Sequence, residues 1–490
     1  MVALGTINEW QPPSGMVTTW TATPAARAAA RMASRSTLAP SYQREQHLRS
    51  AHAAQESGHV LPRLMVVAWN IAGTCNIAAM TKAINTHVRR HDSYHDWFEF
   101  DGEMIVRRRI DNPEVIAFHP VEFGAMGTDQ IRHHALTTTP NTLEWGCITF
   151  GVVQHAGYFT FYTSVDHLYI DGMSAGLIFF DIHLSYDALT HESPQRPAAP
   201  QIASYRGYAA RQHERMAGLT PTSPEIRDWI SFMQGTDGHW PRFPLPLGDV
   251  DATTVGDFLT VELLDAAGTE SFDATCQAAG ARFSGGVLAC AAQAEHDLTG
   301  ATTYYGFTPY DTRTPGLDSL TVGWFASLVP ISVSVGTGSF SRMARAAQQS
   351  FDAAKRLAGI PFDRVLELAA PDQLVDAPHE RSESMVSFID VRKLPLAPLF
   401  EQTNFGAYGD NLSRGGVNIW ITRHADKTTA TISFPDNPVA RRSVRRYLSA
   451  LTDAFTRIVA PATSKWLDDV AQHANSGQGI PVISLPAGRA

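Results

Sequence analysis

His167-Leu168-Tyr169-Ile170-Asp171-Gly172 follows directly on Phe159-Thr160-Phe161-Tyr162-Thr163-Ser164-Val165 and precedes an apolar pattern at Leu177, Ile178, Phe179, Ile182, Leu184 and Leu189. The first flank alternates as a strand does, and the second recurs at helical spacing. The six residues are therefore a strand-to-helix turn, and the strand delivers His167 at its end. An imidazole held there faces a cleft with an ordinary pKa near ~6.5, suited to taking a proton from an alcohol near neutrality. Asp171 has two roles open to it: orienting that imidazole, or turning away to pin the loop on a distant arginine. The second is the favoured one. Gly172 permits positive φ and leaves no side chain where a substrate would pass. A plain polar turn, with a satisfied histidine and an aspartate cap, is the alternative to any catalytic reading.

Working outward, 490 residues are too many for one compact core and point to two or three domains. Hydrophobic content of 44% and charged content of 18% are those of an ordinary globular chain. The net charge of −9 argues against nucleic acid as a partner, because phosphate binding needs a basic surface. No apolar run approaches the ~18 residues needed to span a bilayer, and the first residues lack a basic segment followed by an apolar one. A cytoplasmic protein, at most peripheral to the inner face of the membrane, is expected. Cys75, Cys147, Cys276 and Cys290 stand singly among apolar or small residues and read as reduced core thiols.

Prolines 12, 13 and 24 predict an extended lead-in with a short helix over the first 45 or so residues. Gln43 to Ala54 is polar and helix-prone, Leu64 to Trp69 reads as a buried strand, and Ile77, Met80, Ile84 and Val88 mark a helix over 76–90. Hairpins are expected around Asp101-Gly102 and around Ala156-Gly157. The stretch from Thr190 to Pro200 reads as a connection, followed by helices near 203–216 and 224–234. The second half repeats the grammar: strands near 258–264, 304–308, 328–335, 385–389, 417–421 and 429–434, and a helix from Gly285 capped by Ser284. A further helix over 340–354 would be terminated by Gly359, and a last one starts at Asn437-Pro438. The expected organisation is a first unit over 1–190, a linker region over 191–250, a second unit over 251–470, and a loose tail over 471–490.

Four resemblances bear on function. His167, Asp171 and Gly172 match the HxxxDG motif of the CoA-dependent acyltransferase superfamily, which includes chloramphenicol acetyltransferase and peptide-synthetase condensation domains. NTHVRRHDSYHDWF (85–98) is similar to their "RHxxLRTxF" segment, and Val322-Gly323-Trp324-Phe325 with Leu328-Val329-Pro330 resembles "VGxFxNxLP". A likeness to free-standing polyketide-associated acyltransferases of mycobacterial type, in the trehalose-lipid branch, runs over most of the chain. It includes SVDHLYIDG (164–172), FPLPLGD (243–249), ARFSGGVLAC (281–290), GWFASLVPI (323–331), PFDRVLEL (361–368) and FPDNPVA (434–440). Asp166 stands where condensation domains carry a second histidine, which weakens an amide-forming reading. A DFGWG element is lacking, which sets the chain apart from the plant branch.

The resemblance implies an α/β fold of two chloramphenicol-acetyltransferase-like subdomains, mixed sheets flanked by helices, with the active-site channel between them. It implies an O-acyltransferase that moves a fatty or polyketide acyl group from a CoA or carrier-protein thioester to a hydroxyl of trehalose or acylated trehalose, with His167 as base. No cofactor would be permanently bound, and a polyketide synthase or acyl carrier protein would be a partner. Acylation of another alcohol such as a long-chain diol, amide formation, and non-catalytic acyl or carrier binding are the alternatives. Arg313 matches the arginine of condensation-domain "GRP" segments and is the expected partner of Asp171. Trp324 and Phe325 are expected to line the channel rather than do chemistry. Ser387 and Asn418 are conceivable oxyanion donors, but no feature singles them out. His87, His91 and His95 are spaced by four, yet Arg89 and Arg90 beside them and the helix end favour a plain cationic terminus over a metal site. Arg107-Arg108-Arg109 reads as a solvated strand face. Arg441, Arg442, Arg445 and Arg446 crowd a helix start, where the dipole disfavours cations; that hints at an acidic partner, with a solvated face as the alternative.

Overall fold

A computed structural model describes residues 3–191, 200–250, 254–336, 339–370, 384–410 and 415–459. The tail expected at 471–490 and part of the expected connection, 192–199, lie outside the described residues. The chain is α/β, built on two large mixed sheets and a small one. The first sheet has seven strands in the order Ala3–Thr6, Gly406–Gly409, Leu64–Ala72, Tyr158–Asp166, Ile148–Gln154, Gly15–Ala22, Phe118–Met126. The second has six, in the order Gly256–Leu264, Thr428–Pro435, Asn418–Arg423, Met385–Asp390, Thr303–Asp311, Ala326–Ser334.

Packing follows from pattern. The strand Tyr158–Asp166 is buried at every position after its first, because it is the middle strand of the seven with antiparallel neighbours on both sides. Its Phe159, Phe161 and Val165 face the helices Ile77–Arg90 and Gly172–Thr190, where Trp69 meets Phe161 and Phe179 at ring separations of 4.5 and 5.1 Å. In the second half, Val386, Ile419, Ile421 and Ile432 face the helices Phe283–Thr299 and Pro438–Val459. That leaves Ser387 and Asn418 on the opposite face, since side chains alternate along a strand. One strand crosses over: Gly406–Gly409 completes the first sheet, parallel to Ala3–Thr6 and antiparallel to Leu64–Ala72.

The helix Ile77–Arg90 and the hairpins at Gly102 and Gly157, both with positive φ, are where the pattern puts them. Four readings need correction. The lead-in is not merely extended: Gly15–Ala22 is an inner strand, paired with both Ile148–Gln154 and Phe118–Met126. Pairing that non-local leaves no trace in a local window. The helix expected from Ser284 starts at Phe283, with Arg282 in the capping position. The helix Phe340–Ala354 passes into a 3-10 turn at Lys355–Leu357 before the left-handed Gly359. Arg107 is not on a solvated face, for it is buried in an ion pair with Asp96. All four cysteines are buried free thiols. Among the described residues, no helix is long and apolar enough to cross a membrane.

Trp69 is fully enclosed at the centre of the first sheet. Trp69→Ala is expected to lower unfolding free energy by about 3–5 kcal/mol, measured by denaturant titration.

Candidate active site

The strand Tyr158–Asp166 runs straight into a 3-10 turn over His167–Tyr169. Asp166 caps that turn by accepting from the Leu168 amide at 2.9 Å. Its Oδ2 accepts from Arg63 Nη1 at 2.9 Å and Thr142 Oγ1 at 2.7 Å, and Oδ1, the oxygen that caps the turn, also lies 2.9 Å from His47 Nε2. Burial alone would raise the Asp166 carboxyl, but His47 and Arg63 outweigh it and hold the group well below the usual range. The turn is tied further by the His167 amide donating to the Arg63 carbonyl at 2.7 Å, and by Arg44 Nε donating to the Leu168 carbonyl at 2.8 Å. His167 itself is half-buried, and its ring centroid lies 3.9 Å from that of Trp324.

Asp171 points the other way. Arg313 Nη1 and Nη2 donate to its two oxygens at 3.0 Å each, a bidentate pair with side chains only 4% and 2% exposed. The Ser174 amide, the capping contact of helix Gly172–Thr190, and the Phe325 amide donate at 2.9 Å each, and the Ala326 amide at 3.2 Å. Burial works to raise this carboxyl; the Arg313 charge and these donors prevail and hold it below its ordinary value. The carboxylate is thereby occupied by a cation and two backbone amides from the second half of the chain, and by the Ser174 amide of the helix it caps. Gly172 begins the helix without using the positive φ that glycine permits; open space surrounds the place where a Cβ would stand.

The 321–326 loop is held on several sides. Ser174 Oγ donates to the Gly323 carbonyl at 2.8 Å, Tyr205 Oη to the Trp324 carbonyl at 2.7 Å, and Thr312 Oγ1 to the Phe325 carbonyl at 2.5 Å. Gly323 must be glycine for room: a Cβ there would stand 2.1 Å from the Tyr205 ring. Trp324 is half-buried against His167. Phe325 is fully buried, under the Arg313 guanidinium at 4.1 Å and beside Tyr205 and Tyr208.

Among the three spaced histidines, His95 turns to the Val88 carbonyl, while His87 and His91 converge on Asp181 at 3.1 and 2.9 Å. The geometry would admit an ion, yet Arg90 already donates to the same carboxylate at 2.6 Å, and the Val322 amide donates to His91 Nδ1 at 3.3 Å. Burial lowers His91 to about 4, so it stands neutral and anchors the 321–326 loop. In the last helix, Arg441 pairs with Asp257 at 2.8 Å, whereas Arg442, Arg445 and Arg446 are exposed. His47, Arg44, Arg63 and Ser174 were not anticipated. Their only signal was polar residues in a segment that has to pack.

The condensation-domain family model matches residues 61–380. The chain belongs to that family. It is 41% identical to Acyltransferase PapA3 of Mycobacterium tuberculosis over 464 residues, 93% of this chain and 97% of the relative. It is 43% identical to Trehalose-2-sulfate acyltransferase PapA2 of Mycobacterium bovis over 459 residues, again 93% and 97%. Among solved structures, a PapA2 acyl transferase aligns with a TM-score of 0.90 at 42% identity, covering 94% of this chain and all of that one. The first condensation domain of the calcium-dependent antibiotic synthetase aligns at 0.63 with 17% identity, which is likeness of fold alone. Within the family, the chain falls with the Pap acyltransferases.

Arg313→Met should cost about 3–5 kcal/mol at neutral pH, because it strands a buried carboxylate. A depressed folded-state pKa stabilises fully above the unfolded value near ~3.9 and is lost as pH falls through the folded value. With Arg313 gone, burial raises the carboxyl instead, so the stability gap between wild type and variant, followed by thermal unfolding, should begin to narrow as pH falls toward about 4 and go on narrowing below it.

Proposed function

We propose that the protein is an O-acyltransferase that moves a fatty or polyketide-derived acyl group from a CoA or carrier-protein thioester to a hydroxyl of trehalose or an acylated trehalose. The observation that carries this reading is the division of labour in the turn: Asp171 is committed to Arg313, and His167 is presented, half-buried, beside Trp324. The trehalose-derived acceptors in the names of PapA2 and of 2'-acyl-2-O-sulfo-trehalose (hydroxy)phthioceranyltransferase PapA1 support the acceptor class.

In this mechanism the imidazole of His167 takes the hydroxyl proton as the oxygen attacks the thioester carbonyl. A C–O bond forms, the carbonyl electrons pass to oxygen and return, the C–S bond breaks, and the proton goes from the imidazolium to the leaving thiolate. No covalent acyl-enzyme and no permanently bound cofactor take part. A single imidazole serves both transfers, because it ends each cycle neutral. General-base assistance of this kind contributes about 10²–10⁴-fold, and positioning of the two substrates supplies further acceleration. Trp324 walls the base, Gly172 keeps the approach open, and the Asp171–Arg313 pair holds the turn without touching the reacting atoms.

Purified protein incubated with palmitoyl-CoA and trehalose should yield acylated trehalose detectable by mass spectrometry. His167→Ala should fold normally and lose turnover by about 10²-fold or more. An active His167→Ala variant would remove His167 as base. Free CoA without acyl sugar would redirect the acceptor to another alcohol.

A further inference from the structure

The carboxylate that precedes His167 has a partner from far away in the chain. His47, on helix Tyr42–Glu56, brings Nε2 to 2.9 Å from Asp166 Oδ1, and neither side chain is exposed. Its ring also meets the indole of Trp324 edge-on, with centroids 5.6 Å apart at 68°, and lies 6.4 Å from the ring of His167. Two imidazoles thus flank one indole, and only one of them has a task in the mechanism above.

Asp166 Oδ1 is the oxygen that receives the Leu168 amide, the contact that caps the turn carrying His167. His47 shares that oxygen, while Arg63 and Thr142 hold the other. Without His47 the carboxylate keeps one side fixed and loses a donor on the side that sets the turn. The indole is affected as well, since Trp324 is held by its backbone carbonyl at Tyr205 and by ring contacts to both imidazoles. Displacement of a base by a fraction of an ångström is felt in the chemical step more than in substrate affinity.

We propose that His47 is a positioning residue for His167: through Asp166 it fixes the turn, and through Trp324 the wall, against which the His167 imidazole is aligned. His47 is enclosed and does not touch the substrate. This rests on the reading of His167 as general base.

The test is steady-state acyl transfer by His47→Leu, His47→Gln and Asp166→Asn, run beside wild type and His167→Ala. His47→Leu keeps the bulk but loses the N–H; kcat should fall about 10–100-fold while KM for the thioester moves less than about threefold. His47→Gln, whose side-chain amide can take the place of Nε2, should restore most of the lost kcat, and Asp166→Asn should mimic His47→Leu. The double variant His47→Leu/Asp166→Asn should be about as slow as Asp166→Asn alone, since the His47 N–H acts on the turn through that carboxylate. A folded His47→Leu protein with kcat within about twofold of wild type overturns the proposal, as does equal loss in the Leu and Gln variants. Should His47→Leu not fold, the decision passes to His47→Gln and Asp166→Asn. Near-wild-type kcat for Gln with a deficit for Asn supports the proposal; near-wild-type kcat for both, or deep loss in both, overturns it. Failure of the functional reading looks different: wild type transfers nothing, or His167→Ala remains active.

Discussion

The ion pair between Asp171 and Arg313 is the constraint on which the rest of the site depends. Both groups are almost wholly removed from water, and two charges taken into a protein interior are tolerable only when geometry and further hydrogen bonds make up for lost hydration. Here the compensation is dense. Asp171 receives three backbone amides besides the guanidinium, and Arg313 also reaches Ser174, Asp311 and the carbonyls of Thr321 and Gly323. Because Asp171 starts the helix behind the His167 turn and Arg313 follows the strand Thr303–Asp311, the pair joins the two halves at the site.

That commitment has a chemical consequence. An aspartate so fully occupied cannot also orient an imidazole, so the histidine four residues earlier must be placed by other means. The means are the cap on its own turn, the Arg63 carbonyl on its amide, and the Trp324 indole. The indole's own position depends on the pair, because the Phe325 and Ala326 amides end on Asp171 and the Gly323 backbone ends on Ser174. On the far side of the loop, neutral His91 accepts from Val322 and passes the connection to Asp181 and Arg90. The backbone on both sides of the His167–Trp324 contact is thereby held at several independent points.

The strand-turn-helix around His167 was legible because its information is local: alternation, then helical spacing, with polar residues between. The Asp171–Arg313 pair was legible only through family resemblance, since nothing in the spacing of residues 171 and 313 brings them together. Other features were hidden for definable reasons. Gly15–Ala22 and Phe118–Met126 are joined by non-local pairing, and the second of these contains Pro120 and Gly124, which local rules treat as breaks. Arg107 looked solvated because charge in a strand normally faces water; Asp96, which neutralises it, lies across the hairpin. For Gly172 the sequence left two uses open, positive φ and an absent side chain, and open space where a Cβ would stand fits the second.

Helix Tyr42–Glu56 shows the limit most clearly. Its sequence is hydrophilic all round, which ordinarily describes a solvated helix, yet Arg44 and His47 are its buried residues along with Leu48. Burying a guanidinium and an imidazole is unfavourable unless each finds partners. Partners for them lie in the assembled site: the Leu168 carbonyl and the rings of Tyr169 and Tyr205 for Arg44, whose two Nη atoms are buried without a hydrogen bond, and the Asp166 carboxylate for His47. The helix is therefore drawn inward by polar complementarity with the His167 turn rather than by an apolar stripe. A pattern that scores only hydrophobicity must miss it, and the segment it misses supplies the polar contacts behind the proposed base.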